Sequence, residues 1–165
     1  MTFPETSVPA VGKIAPPRGP VMAATAWPSN ADMIVDMVRL GYLKLDDVVL
    51  DPTYGTGRWW KKVQPYRLIR RTHEDGFDFR NMDEFPDNEF DAVAYDPPYV
   101  CIGGRKTSGI KSMYDGYGLT DAPTSPVLLQ RLIDAGLKEM ARVVKPKGII
   151  LVKCQDYVSS GKLWP

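Results

Sequence analysis

Histidine and cysteine are nearly absent from these 165 residues: there is one histidine, His73, and two cysteines, Cys101 and Cys154, far apart in sequence. With no CxxC spacing and no His partner, neither a disulfide framework nor a zinc site is supported. Both cysteines read as ordinary thiols, and His73 as a loop residue rather than a base or ligand. Long apolar runs are also missing. Nothing approaches the length of a transmembrane helix, and Met1 to Pro20 lack the apolar centre of a signal peptide, so the default expectation is a cytoplasmic protein. The formal charge is only +1, without the basic excess of a dedicated DNA-binding domain, so any nucleic-acid contact must be local. Basic residues do gather in Arg67–Arg71, in Arg105 and Lys106 with Lys111, and between Arg142 and Lys153. Neither GxGxxG nor GK[ST] is present, so neither a nicotinamide dinucleotide nor a nucleoside triphosphate is indicated.

What is present suits one ordinary globular domain, since 44% of residues are hydrophobic and 25% charged. Residues 1–24, with Pro4, Pro9, Pro16, Pro17 and Pro20, read as a flexible arm, and residues 25–165 as the domain. Ser29 or Asn30 caps a first helix with Met33, Ile34, Met37, Val38 and Leu40 inward, stopped by Gly41. Val48–Leu50, Tyr66–Arg70, Gly76–Arg80, Phe90–Tyr95 and Ile149–Cys154 read as five strands. A helix is expected to begin at Arg58–Val63. Another starts behind Ser125 and Pro126 and runs through Val144, with Leu129, Leu132, Ile133, Leu137 and Met140 inward, until Lys145-Pro146-Lys147-Gly148 stops it. The glycine-studded stretch from Cys101 to Pro123 suits a mobile loop over a site. Strands alternating with helices imply an α/β fold with a parallel sheet.

Two strand ends carry the chemistry. The strand ending at Tyr95 must stop at Asp96, because Pro97 and Pro98 donate no ladder hydrogen bonds. A carboxylate, two stiff residues and the Tyr99 ring thus emerge together at a strand's carboxyl end, where ligands bind in open α/β sheets. Such a cluster suits methylation of an exocyclic amine on a flat base. An aniline-like nitrogen is a poor nucleophile, so an enzyme must accept hydrogen bonds from its N–H groups. Asp96 and the Pro97 carbonyl are the candidate acceptors and Tyr99 the candidate stacking platform. The plainer alternative is a Pro-Pro turn with Tyr99 covering the core edge. The other strand end is Asp51-Pro52-Thr53-Tyr54-Gly55-Thr56-Gly57, where glycines let the backbone turn and approach a ligand closely. Its plainer alternative is a tight strand-to-helix turn.

Both motifs, in this order and each at a strand end, resemble the class I S-adenosylmethionine-dependent DNA amino-methyltransferases, specifically the adenine-N6 branch, and look closest to phage-like DNA methylases. The likeness runs from about Trp27 to Asp156. It implies a Rossmann-like, doubly wound, mostly parallel sheet of the class I methyltransferase type, lacking the family's last strands and so C-terminally shortened. It implies methyl transfer from S-adenosylmethionine to the N6 amine of adenine in DNA, flipped out or single-stranded, in a bacterial cell or phage-infected host. By that likeness Asp96, Pro97, Pro98 and Tyr99 form the catalytic loop. Asp51, Thr53, Gly55 and Gly57 surround the cofactor's amino-acid end, Glu74 or Asp75 meets its ribose, and Asp78 with Phe79 meets its adenine. Trp27 to Asn30 look like the family's N-terminal cofactor element. No metal is implied. RNA or protein amines as acceptors, or a non-catalytic cofactor- or DNA-binding remnant, remain alternatives. The apolar fifth strand, with nothing left to pair with its outer edge, favours self-association or a partner subunit.

Overall fold

The computed structural model describes residues 27–101, 114, 115, 117, 119 and 122–154, and the backbone of 157–159 and 162–164. The expected N-terminal arm and most of the expected loop from Cys101 to Pro123, with Arg105, Lys106 and Lys111, lie outside the described residues.

Helix α1 (Asn30–Arg39) begins where the Ser29 side chain accepts the Asp32 N–H, and ends at Leu40, with Gly41 at φ 79° turning the chain away. Ala31, Ile34 and Val38 are buried on it, whereas Leu40, expected inward, is 51% exposed because it follows the last helical turn. The strands are β1 (Val48–Asp51), β2 (Arg67–Arg70), β3 (Phe90–Tyr95) and β4 (Val144–Val152). They form one sheet in the order β2-β1-β3-β4 with every pairing parallel. Helix α2 (Pro126–Val143) starts with Ser125 as cap and Pro126 in its first turn. The fold is α/β, and among the described residues no helix is long and apolar enough to cross a membrane.

Strand side chains alternate between two apolar cores. Val49, Ala92 and Ala94 join Ile34, Val38, Trp59 and Trp60 on the α1 face. Leu50, Val93 and Tyr95 join Leu132, Met140 and Val143 on the α2 face. A central strand covered on both sides explains why Phe90–Tyr95 reads as a continuous apolar run.

Four local expectations change. Gly76–Arg80 is not a strand; it makes a single bridge between Asp78 and Asn81. The Asp78 carboxylate accepts the Arg80 N–H and its carbonyl accepts the Asn81 N–H, which closes a turn instead of presenting an edge. The helix expected at Arg58–Val63 is a single 3-10 turn, Arg58–Trp60, because both tryptophans are buried immediately. Lys145–Gly148 does not separate helix from strand: α2 passes straight into β4, and the register jumps between Phe90↔Val144 and Ala92↔Ile149, with Lys147 at φ 69°. The surplus residues form a bulge. Finally, the tail after β4 contains β5 (Tyr157–Ser159) and β6 (Lys162–Trp164), an antiparallel pair separate from the main sheet. β4 is an edge strand in that sheet's order.

Candidate functional site

From β1 the chain crosses to β2 on one side and then returns to β3 on the other, so the strand order reverses between β1 and β3. The connections on either side of such a reversal diverge, and a crevice opens beyond the strands' carboxyl ends. A cavity of about 250 Å³, open to one side, lies at that end of the sheet. Every strand of the four-stranded sheet contributes to it: Pro52 to Thr56 follow β1, Thr72 and His73 follow β2, Asp96 and Tyr99 follow β3, and Lys153 follows β4. Asn30 of α1, Arg58, Trp59, Phe77, Phe79 and Tyr117 complete the wall.

The two motifs are bonded to each other. The Asp96 N–H donates to Thr53 Oγ1 at 2.9 Å. The consecutive tryptophans behind the glycine loop then reach one carboxylate each. Trp60 Nε1–H donates to Asp51 Oδ2 at 2.7 Å, and Trp59 Nε1–H to Asp96 Oδ2 at 3.3 Å. Thr53 N–H donates to Asp51 Oδ1 at 3.0 Å, so both oxygens of that buried side chain are engaged. Burial nevertheless pushes the Asp51 carboxyl up to about 7; the Trp60 and Thr53 hydrogen bonds oppose the rise, and the charge of Asp96 adds to it.

Asp96 differs in one respect. Its Oδ1 is buried and has no hydrogen-bond partner among the described residues. Lys153 Nζ stands 3.6 Å away, too far for a hydrogen bond. Burial raises this carboxyl too, against the Lys153 charge and the Trp59 bond. Tyr117 Oη–H donates to the Asp96 carbonyl at 2.9 Å, fixing the turn from the other side. The Tyr99 ring, beyond the prolines, has the Lys153 ammonium 5.3 Å from its centroid.

The glycines have separate tasks. Gly55, at φ 51°, lines the cleft, and a Cβ there would approach only the Thr53 carbonyl, at 3.8 Å. Gly57, at φ 66°, lies off the cleft, and a Cβ there would stand 2.4 Å from the Tyr54 hydroxyl, so it is glycine for the sake of that ring.

Of the residues singled out in the sequence, Thr53, Gly55, Phe79, Asp96 and Tyr99 come together at the cleft, with Asn30. Asp51 stands behind it, and Pro97 and Pro98 are buried outside its lining. Glu74 is exposed and Asp75 closes a capping box with Thr72; neither lines the cleft. Asp78 is turned away as well, paired with Arg80 at 2.8 Å over a separate acidic depression. Trp27 donates its indole N–H to Asp36, which anchors α1 rather than contacting the cleft.

Trp59, Thr72, His73 and Lys153 are among the lining residues that the sequence did not assign to the site. Only their positions just past a strand or glycine loop could have marked them. Compared with family models, curated proteins and solved structures, the chain matches none.

Proposed function

We propose that this chain transfers a methyl group from S-adenosylmethionine to the exocyclic N6 amine of adenine in DNA, on a Rossmann-like sheet of the class I methyltransferase type. The observation that carries the proposal is Oδ1 of Asp96, buried without a hydrogen bond and only ion-paired to Lys153 at 3.6 Å, on a residue that lines a cleft shared with the glycine loop. A buried carboxylate oxygen whose neighbouring cation stands beyond hydrogen-bond range still lacks the hydrogen bond its burial calls for, which suits a ligand N–H.

The residues also fit the cofactor. The left-handed Gly55 leaves one wall free of side chain, and Thr72, His73 and Phe79 offer polar and aromatic contacts beside it. At about 250 Å³ the cavity falls somewhat below ordinary small-molecule sites, and it is open on one side. S-adenosylmethionine supplies an electrophilic methyl group. The chain's own part is to accept an N–H of the target amine at Asp96 Oδ1 and a second at the Pro97 carbonyl, while Tyr99 stacks on the base. Trp59 holds Asp96 Oδ2 and so fixes the direction in which Oδ1 faces. Positioning carries the rate, and the unstacked base is presented at a cost of a few kcal/mol. Such an enzyme works in the cytoplasm, where the DNA of a bacterial cell or phage-infected host lies.

The test is transfer of labelled methyl to unmethylated DNA, with the product nucleoside identified by mass spectrometry, run beside RNA and peptide acceptors. N6-methyladenine is expected. Asp96→Ala should lower transfer by roughly a hundredfold or more while calorimetric cofactor binding persists. Equal loss of both would sink the assignment of Asp96 to the acceptor amine.

A further inference from the structure

Lys153 stands where an incoming amine belongs. Its ammonium lies 3.6 Å from Asp96 Oδ1 and 5.3 Å from the centre of the Tyr99 ring, so it faces both groups assigned to the acceptor base. Its backbone is fixed, since its N–H donates to the Tyr95 carbonyl at 3.0 Å in continuation of β4. Its side chain is not: it is 30% exposed, on a stem of four methylene groups that can carry the ammonium into solvent. The two oxygens of Asp96 are thus unequally committed. Oδ2 is held by the buried indole of Trp59, and Oδ1 has only an ammonium beyond hydrogen-bond range.

We infer that Lys153 is a built-in competitor for the acceptor seat, lying across Asp96 Oδ1 and Tyr99 at rest and withdrawing when the target amine arrives. This rests on the reading of the site as an amine-methylating one, and it goes further by naming what sets acceptor affinity and choice. A second cation is repelled while Lys153 is near, whereas a neutral aromatic amine can take its place beside the carboxylate. The site is thereby biased towards flat, uncharged amines and against protonated alkyl amines.

The experiment measures binding of 2′-deoxyadenosine by calorimetry, in mildly alkaline buffer that keeps Asp96 ionised, with S-adenosylhomocysteine present to fill the cofactor seat. A nucleoside is used because duplex DNA would also lose a phosphate-attracting charge in the variant. Lys153→Met should tighten nucleoside binding roughly three- to tenfold, an effect that loss of a merely structural residue does not produce. Lys153→Arg, which keeps a cation in the seat, should bind as weakly as the native chain. The gain should vanish when Asp96→Ala is combined with Lys153→Met. Equal nucleoside affinity in the native chain and Lys153→Met would overturn the competitor and leave the amine site standing. No nucleoside binding by any variant, with no methyl transfer to DNA, would overturn both.

Discussion

Tyr95, the residue before Asp96, shows how closely the cleft end of the sheet is packed. Its ring is fully buried, tilted against Phe79 at 5.4 Å, and α2 passes directly over it. A Cβ at Gly136 would stand 2.4 Å from the Tyr95 hydroxyl oxygen, so only glycine lets the helix cross here. That hydroxyl has no hydrogen-bond partner among the described residues, and burial pushes its ionisation well above the usual tyrosine range. It therefore loses its water without regaining a donor or acceptor. Tyr95→Phe removes the orphaned group and keeps the ring. The expected outcome is a gain in stability of about 1 kcal/mol, read as a higher urea midpoint at unchanged slope. A loss of stability would mean that the hydroxyl is satisfied after all.

Between β2 and β3 the chain runs from Arg71 to Glu89 with only a 3-10 turn at His73–Asp75 and the bridge at Asp78 as regular structure, yet it buries Phe79, Met82 and Phe85 on the α2 face. One side chain of α2 fastens it. Arg142 donates to the carbonyls of Met82 and Phe85 and to the carboxylates of Asp87 and Glu139, and Glu139 in turn accepts the Met82 N–H. Arg142→Ala should cost roughly 1.5–3 kcal/mol in denaturant unfolding, because two carbonyls lose a charged donor; a change within 0.5 kcal/mol would show that water replaces it. Elements set by local chemistry were legible in the sequence. Ser29 and Ser125 as caps, Pro126, and the apolar β1 and β3 all announce themselves within a few residues. Gly76–Arg80 was not legible, because its alternating Phe77 and Phe79 fit a strand, while strand formation needs a partner that the sequence does not name. The same limit divides the site. Asp96, Tyr99 and Gly55 are visible as strand-end motifs, but Lys153 and Trp59 enter only through contacts across 57 and 37 positions, distances set by sheet order.

Two groups of described carboxyls contrast across the sheet. Near the amino end of β3 one is fastened: Asp91 accepts from Lys145 and from the Val48 N–H, and its carboxyl is held below the usual range by those bonds. At the carboxyl ends, Asp51 and Asp96 are both raised, chiefly by burial. A carboxyl whose folded value is raised keeps its proton over a range in which the unfolded chain has lost it. Its contribution to stability is therefore greatest at low pH and declines as pH rises from about 4 towards about 7. The lowered groups, Asp91 and Glu139 among them, contribute above their ordinary values of 3.8 and 4.5, and lose that contribution only as pH falls further. Stability should then decline between pH 5 and pH 7, with a slope of at most about 1.4 kcal/mol per unit from Asp51. Asp51→Asn should flatten that slope. It should also lower stability at pH 5 by roughly 1–3 kcal/mol, because an amide has one acceptor oxygen where the carboxyl offers one each to the Trp60 and Thr53 donors. Urea midpoints at the two pH values, for both proteins, decide it. A native midpoint that does not fall from pH 5 to pH 7 would mean that Asp51 is ionised throughout, and that the cleft end of the sheet holds two full negative charges.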